Sequence, residues 1–286
     1  MRIKKVLRNE YVYADDIWVR NFTKKRVKEI SINEMYSEND FQLVMNNEME
    51  NTSKNELSFI NDETWNFPNI VIVSDGYDFD EKHRLLSRLP KNVAIFAVNG
   101  SLKKWKLQNK DTKPDLKRSI NLYIANNPYK NCIDYTHSSY FPTCVASTRV
   151  NTEFVDRYKG NKYLYVPTPE ENLSSFFANN VTWHIDDYRN SVCAAVCIAF
   201  RFGVRKLLLF CCDDTFKNER PAAEQLKNGL WQYPQHRISH SIIDANLYWL
   251  SHQEGTEVVL GSHSSGKDYT YAPYISEENL KDFFVG

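Results

Sequence analysis

The sequence predicts an α/β protein in which helices cover a mostly parallel, Rossmann-like sheet. Two observations carry this prediction. From residue 69 onward, short apolar runs alternate with segments of helical periodicity, and polar turns follow most of the apolar runs. Residues 190–214 show the unit in one stretch: a capped helix, a glycine, an unbroken apolar run typical of a strand buried on both faces, and two carboxylates.

The predicted strands are apolar runs bounded by turn residues, and the predicted helices carry apolar side chains at helical spacing. Strands are expected at 70–73, 93–98, 122–125, 163–166, 207–212 and 258–260. Helices are expected at about 80–89, 151–159, 191–202 and 241–253. For the helix at 191–202, Asn190 and Ser191 supply capping side chains and Gly203 marks the end.

The composition indicates a globular chain with no overall preference for a charged partner. Of its 286 residues, 42% are hydrophobic, which can supply a sizeable core. The 36 basic and 36 acidic side chains cancel, so the net charge does not favour a polyanionic partner. The sequence has no apolar run of membrane-spanning length and no signal-peptide pattern. We therefore expect a cytoplasmic protein, or at most one peripheral to a membrane.

The cysteines lie mostly in apolar helix or strand contexts, which predicts reduced, buried thiols rather than a disulfide framework. They are Cys132, Cys144, Cys193, Cys197, Cys211 and Cys212. Their spacing matches none of the usual zinc patterns, so no metal site is predicted from them.

Residues 1–66 differ in composition from the rest and are predicted to form an N-terminal appendage. They have a basic start, a candidate strand at 11–19 and a polar stretch at 46–58 that is typical of a linker or long loop. The main domain is predicted to begin near residue 67 and to run to residue 286.

Polar turns follow four of the predicted strands, and the carboxyl ends of parallel strands line the ligand crevice of open α/β sheets. The turns are Ser74-Asp75-Gly76, Asn99-Gly100-Ser101, Asn126-Asn127-Pro128 and Asp213-Asp214. Together they predict a nucleotide site, with Asp75, Gly76, Asn99, Asn127 and Asp213 as contacts. Ser191 joins them as a candidate phosphate contact, since a helix start attracts anions.

Two common nucleotide motifs are missing from the sequence. It contains neither a glycine-rich dinucleotide fingerprint nor a P-loop, which argues against an NAD enzyme or an ordinary ATPase. The adjacent carboxylates of Asp213 and Asp214 could hold a divalent cation such as Mg²⁺, but the predicted nucleotide site does not require one.

A long excursion at about 215–240 follows the central strand and is predicted to be a lid over the crevice. It carries Lys217, Arg220, Tyr233 and His236, and its last residue, His240, stands at the start of the predicted helix 241–253.

Residues 69–260 resemble the bacterial sialyltransferases that build lipooligosaccharide termini from CMP-sialic acid. Short motifs in a shared order carry the resemblance: Ser87-Arg88-Leu89-Pro90 before the strand that ends at Asn99, Asn127-Pro128, Arg189-x-Ser191 with Gly203 and Asp213, and His236-x-x-x-His240-Ser241. The resemblance implies a GT-A-like single nucleotide-binding domain. It also implies that Asn99, Asn127 and Ser191 contact the nucleotide and that His240 is the general base. The motility-associated glycosyltransferases, with archaeal pterin diphosphokinase-like proteins, share the same strand-edge plan.

The chain departs from the sialyltransferase pattern at two functional places. The family's glycine-rich turn after the first strand is replaced by Ser74-Asp75-Gly76-Tyr77-Asp78. The two lid tyrosines that bind the leaving phosphate fall near Thr215 and Pro221, neither of which can replace a phenol. Lys217 and Arg220, or Tyr233, are therefore expected to take over that role.

The function implied by the resemblance is metal-independent transfer of a sugar from a nucleotide-activated, CMP-linked donor to an acceptor hydroxyl. No cofactor is expected besides the nucleotide sugar. One alternative is a diphosphokinase of the pterin type that uses ATP and Mg²⁺ at Asp213 and Asp214. Another is a non-catalytic nucleotide-binding module, or a transferase acting on hydroxymethylated bases of a nucleic acid, suggested by the cation-aromatic cluster 103–106. The acceptor stays open between a glycan and a nucleic acid, and a homo-oligomer is compatible with the sequence.

Overall fold

The computed structural model describes residues 38–54, 57–60, 65–109, 118–136, 141–167, 184–185, 187, 190–212, 224–225, 231–232, 243–244, 246–253, 255–261 and 272–285. The strands are β1 (Ser58–Phe59), β2 (Asn69–Val73), β3 (Ala94–Val98), β4 (Leu122–Ala125), β5 (Thr143–Ser147), β6 (Lys162–Pro167), β7 (His184–Ile185), β8 (Lys206–Phe210), β9 (Glu224–Gln225), β10 (Trp231–Gln232) and β11 (Glu257–Leu260).

The helices surround this sheet on both faces. They are α1 (Glu38–Ser53), α2 (Phe79–Lys82), α3 (Ser101–Asn109), α4 (Thr152–Arg157), α5 (Ser191–Arg201) and α6 (Leu280–Phe283), with 3₁₀ turns at His83–Arg88 and Lys130–Thr136. Residues 243–244 and 246–251 are also helical. None of these described helices combines the length and apolar character needed to cross a membrane.

One parallel sheet organises the described part of the chain. Its strand order is β1-β6-β5-β4-β3-β2-β8-β11, and β7 pairs with the end of β6. The register places Val71 opposite both Ile95 and Leu208. Strands β9 and β10 form a separate antiparallel pair. The predicted Rossmann-like α/β fold is therefore confirmed.

The side chains of the central strands alternate between two apolar cores, as the period of two in a strand requires. Ile70, Ile72 and Phe96 face the core that includes α5 and the helical residues after 243. Val71, Val73 and Ile95 face the opposite core, which includes α4 and the turns after β2. Residues 70–73 have no measurable exposure, which explains why these strands are unbroken apolar runs.

The helix at the centre of the sequence prediction forms as expected. Asn190 is its N-cap, and its Oδ1 accepts hydrogen bonds from the backbone N–H groups of Val192 and Cys193. Gly203 adopts a φ of 76° directly after the helix, in the left-handed region that favours glycine. The strand that follows ends at Phe210 rather than Cys212, because Cys211 leaves the extended conformation with a φ of 55°.

The interpretation of residues 46–58 as a linker is wrong. Most of this stretch belongs to α1, whose inner face is polar: Asn47, Glu48 and Asn51 are at most 5% exposed. The two asparagines donate to main-chain carbonyls of residues 128 and 148–150. After α1, β1 pairs with β6 of the main sheet. Residues 1–37 lie outside the described residues. The candidate strand at 11–19, the N-terminal appendage and its boundary at residue 67 therefore stay predictions.

Strand β5 and helix α3 are among the other elements that were not predicted. Strand β5 lies between β4 and β6 but carries Thr143 and Ser147 at its ends, which shortens the apolar signal. Helix α3 contains the cation-aromatic cluster, and there Trp105 is only 5% exposed and donates its indole N–H to the Arg118 carbonyl at 3.2 Å. Because Trp105 is buried, it cannot stack on a base, which removes the aromatic part of the nucleic-acid hypothesis.

Candidate active site

The strand order reverses between β2 and β8. From β2 the chain adds β3, β4, β5 and β6 on one side, whereas β8 and then β11 are added on the other side. In open parallel sheets, the crevice at the carboxyl ends of the two strands that flank such a reversal is where ligands bind. The turns after β2 and β8 are therefore the first place to look for a site.

Main-chain hydrogen bonds connect the turn after β2 to the end of β8. The Ser74 N–H donates to the Phe210 carbonyl and the Gly76 N–H donates to the Cys211 carbonyl, both at 3.0 Å. On the other side, the ammonium of Lys104 on α3 donates to the Asp75 carbonyl at 2.9 Å. The predicted contacts Asp75 and Gly76 are thus held at the reversal point.

A buried carboxylate lies behind this turn. Asp78 is 1% exposed, and neither of its oxygens has a hydrogen-bonding nitrogen or oxygen partner in the described part of the chain. Burial raises the pKa of Asp78. Two weaker effects oppose that rise: a hydrogen bond from the Cys211 thiol, and the positive charge of Lys82, whose ammonium lies 3.9 Å from Oδ2 of Asp78. The site therefore contains a carboxyl group whose ionisation is disfavoured by its surroundings.

The backbone is strained on both sides of β2. Asn99 after β3 has a φ of 53° and Cys211 after β8 has a φ of 55°, both in the left-handed region. Such conformations cost a non-glycine residue about 1–3 kcal/mol, less for asparagine, and they concentrate at functional sites. Asn99 is further fixed because its carbonyl accepts from the Tyr123 hydroxyl at 3.1 Å.

Gly100 allows the turns after β2 and β3 to approach each other. A Cβ atom at this position would lie 2.4 Å from Oδ2 of Asp75, so the observed Asp75 side chain requires glycine here. The Asp75 carboxylate consequently lies against the start of α3, where the positive end of the helix dipole favours a negative charge.

The start of α5 faces the end of β4. The Ser191 hydroxyl donates to Oδ1 of Asn126, while Nδ2 of Asn126 is buried and has no hydrogen-bond partner in the described residues. Because Asn190 already caps the N–H groups of Val192 and Cys193, those two groups are not available to an anion. Ser191 is the first helical residue and is 5% exposed.

The side chain of Asn127, a predicted nucleotide contact, forms hydrogen bonds with neighbouring residues of its own turn. Its Oδ1 accepts from the Tyr129 N–H at 2.9 Å, and its Nδ2 donates to Oδ1 of Asn131 at 3.0 Å. This is an Asx-type turn, which an asparagine forms without any ligand. Asn126, rather than Asn127, is therefore the asparagine that meets Ser191.

A polar network that the sequence analysis missed continues along the same edge. Nε of Arg149, two residues after β5, lies 3.4 Å from Oε2 of Glu48 on α1, and the Thr148 hydroxyl donates to the other Glu48 oxygen at 3.3 Å. The Tyr165 hydroxyl donates to Oδ2 of Asp187 at 2.8 Å, three residues before the Asn190 cap. Burial first, and then Asp187, raise the pKa of Tyr165. No local sequence signal indicates these pairings.

The described site residues all lie at the carboxyl edge: Asp75 and Gly76 after β2, Asn99 after β3, Asn127 after β4 and Ser191 at the start of α5. The other candidates, Asp213, Asp214, Lys217, Arg220, Tyr233, His236 and His240, lie outside the described residues, as do Arg189, Thr215 and Pro221. Within the described part of the chain, no three His, Cys, Asp or Glu side chains come together as metal ligands. All six cysteines are free thiols, and all but Cys197 are buried.

Comparison with solved structures finds the same fold in a glycosyltransferase. The structure of the Maf glycosyltransferase from Magnetospirillum magneticum AMB-1 superposes with a TM-score of 0.63 at 12% sequence identity, over 86% of this chain. The match covers 40% of the Maf chain, so this protein spans less than half of its length. At this sequence identity the likeness shows the fold, and it does not extend to the CMP-sialic-acid-dependent family. No protein-family model and no curated protein sequence matches the chain.

Proposed function

We propose that this chain is a glycosyltransferase that binds a nucleotide-activated sugar at the carboxyl edge of its sheet and transfers the sugar to a hydroxyl group. The observation that carries the proposal is the group of polar turns at the carboxyl edge of the sheet, around the β2–β8 reversal point. The group comprises the polar turn at Ser74–Gly76, the left-handed residues Asn99 and Cys211, and the Asn126–Ser191 pair. The shared fold with a Maf glycosyltransferase supports the same conclusion.

These turns offer the polar groups that a nucleotide requires. Hydroxyl, amide and main-chain N–H groups can each bond a ribose, a base or a phosphate, and the glycine at position 100 brings two turns close together. The donor proposed here is CMP-linked, following the motifs around Asn99, Asn127 and Ser191. A CMP leaving group carries one phosphate, so its charge can be balanced without a metal ion.

The proposed reaction is a single displacement at the anomeric carbon. The acceptor oxygen forms the new bond to that carbon, the bond to the phosphate oxygen breaks, and its electron pair stays on the phosphate. His240 takes the acceptor proton, and Lys217 and Arg220 balance the charge that grows on the leaving phosphate. These three roles come from the sequence motifs and from the lid position alone.

A nucleotide panel tests the binding half of this proposal. Thermal stability should rise with CMP in the presence of a chelator, because any ligand that binds only the folded state stabilises it. UMP, GMP, AMP and ATP, each with and without Mg²⁺, are the comparison set. Stabilisation by ATP that strictly requires Mg²⁺ would instead support the pterin-type diphosphokinase with the metal at Asp213 and Asp214. No stabilisation by any nucleotide would contradict the proposal.

A further inference from the structure

We infer that Asn126, through its Nδ2 group, is the amide that donates a hydrogen bond to an acceptor oxygen of the bound nucleotide. This inference rests on the proposed function and names a contact that the sequence motifs assigned to Asn127. It follows from the geometry at the end of β4, where two adjacent asparagines have different surroundings.

The Ser191 hydroxyl sets the orientation of the Asn126 amide. By donating to Oδ1, it holds the oxygen towards α5 and directs the NH₂ group away from the helix. That nitrogen is buried and has no hydrogen-bond partner in the described residues. A buried donor without a partner destabilises the fold, and native proteins contain few of them, so a ligand that completes the bond explains why this one is retained.

The main chain that carries Asn126 is held from two sides. The Pro128 carbonyl accepts from Nδ2 of Asn47 on α1 at 3.1 Å, and the Asn127 carbonyl accepts from the Asn151 N–H, also at 3.1 Å. Because the turn is fixed in this way, Asn126 cannot relax easily to satisfy its amide elsewhere. The unpaired donor is therefore a stable feature of the site.

The group that fits this donor is a neutral or anionic oxygen. An amide NH₂ donates to a phosphate oxygen or to the carbonyl oxygen of a base with similar geometry. Both are present in a nucleotide such as CMP. Asn127 differs, since its amide already donates to Asn131 and accepts from the Tyr129 N–H within the turn, which leaves no buried atom of that amide without a partner.

The test compares Asn126→Asp with Asn127→Asp. The two substitutions add the same charge at neighbouring positions, but only the first removes the free donor while keeping an acceptor for Ser191. Calorimetric titration with CMP should show Asn126→Asp weakened roughly 10- to 100-fold, the range for a lost hydrogen bond to a charged group. Asn127→Asp should stay within roughly threefold of wild type.

Titrations with cytidine and with inorganic phosphate identify the partner oxygen. Weakened cytidine binding in Asn126→Asp places the acceptor on the base or ribose, and weakened phosphate binding places it on the phosphate. If Asn126→Asp does not fold, Asn126→Ala removes the same donor without adding charge and should show the same order of loss. A folded Asn126 variant with wild-type affinity for CMP, or equal weakening in both aspartate variants, overturns the inference. A wild-type chain that binds no nucleotide contradicts the proposed function and the inference together.

Discussion

Glu48 and Arg149 form a buried ion pair between α1 and the turn after β5, with Nε of Arg149 3.4 Å from Oε2 of Glu48. The two side chains are 3% and 7% exposed, and they lie 101 positions apart in the sequence. The pair connects α1, which comes before most of the sheet in the sequence, to the carboxyl edge where the candidate site lies. It is surrounded by hydrogen bonds from Thr148, Asn47 and Asn51, so α1 is part of the framework of that edge.

Removal of one partner should therefore be costly. Glu48→Ala leaves the Arg149 charge buried without its carboxylate, and breaking a buried pair in this way typically costs about 3–5 kcal/mol. Urea denaturation should show that loss in the free energy of unfolding. Glu50→Ala on the same helix is the control, since Glu50 is 56% exposed and its ion pair with Lys54 at 3.8 Å should contribute at most about 1 kcal/mol. Equal effects of the two substitutions would show that the buried pair does not stabilise the fold.

Asp78 should make the protein less stable as pH rises. Its pKa is raised above the ordinary value of 3.8, mainly by burial. The unfolded chain therefore releases this proton at a lower pH than the folded protein does. Stability falls as pH rises from 3.8 through the folded pKa.

Asp78→Asn should consequently raise the unfolding temperature at neutral pH, with a gain that shrinks as pH falls towards 3.8. The measurement is the unfolding temperature of both proteins across an acid-to-neutral pH series. Asp80→Asn, at an exposed position two residues later, controls for the loss of one negative charge. A stability difference between wild type and Asp78→Asn that does not vary with pH would contradict the raised pKa.

Gly100→Ala tests the close approach between two strand-end turns. The new methyl group would lie 2.4 Å from Oδ2 of Asp75, and overpacking of this kind typically costs about 1–3 kcal/mol. Adding Asp75→Ala removes the clashing atoms, because the remaining Asp75 contact is its Cβ at 3.6 Å.

The double variant should therefore recover most of the stability lost in Gly100→Ala, as measured in a double-mutant cycle. If Asp75 also contacts the nucleotide, the double variant will regain stability but will still bind the nucleotide more weakly than the wild type. Additive losses in the cycle would show that the two residues are not in contact.

His240→Ala should slow turnover roughly 10²–10⁴-fold if His240 is the general base. The wild-type rate should fall on the acidic side as an imidazole with an unperturbed pKa of about 6.5 becomes protonated, and this acidic limb should be missing in the variant. Nucleotide binding and folding should be unchanged. His252→Ala, which removes an exposed histidine hydrogen-bonded to the Tyr248 carbonyl, is the matched control and should keep normal turnover.

The elements that could be predicted from the sequence are those in which local pattern and burial agree. Helix α5 and strand β8 combine a capping asparagine, an apolar helix, a glycine in the left-handed region and a fully buried strand. Helix α1 could not be recognised, because its buried face consists of asparagine and glutamate side chains that satisfy distant carbonyls. Polarity normally marks an exposed segment, and only the partners at 128 and 148–150 explain the exception.

The same limit applies to the site. The strand-end turns could be predicted, since parallel strands bring their carboxyl ends to one edge. The different hydrogen bonds of Asn126 and Asn127 could not, because adjacent asparagines in a turn look alike until Ser191 and Tyr129 are placed. The interpretation of residues 103–106 as a base-binding surface was wrong at Trp105, because an aromatic side chain in an amphipathic helix can as well belong to the core.

Nucleotide release from a panel of nucleotide sugars tests the central claim most directly. The purified chain is incubated with CMP-, UDP-, GDP- and ADP-linked sugars, or with ATP, together with a mixed set of hydroxyl acceptors and either a chelator or Mg²⁺. The released nucleotide is then quantified. A glycosyltransferase of the kind proposed releases CMP from a CMP-linked donor in the presence of the chelator, and Asn126→Asp releases much less. Turnover only of ATP, and only with Mg²⁺, or no release from any donor by a folded protein, would contradict the account.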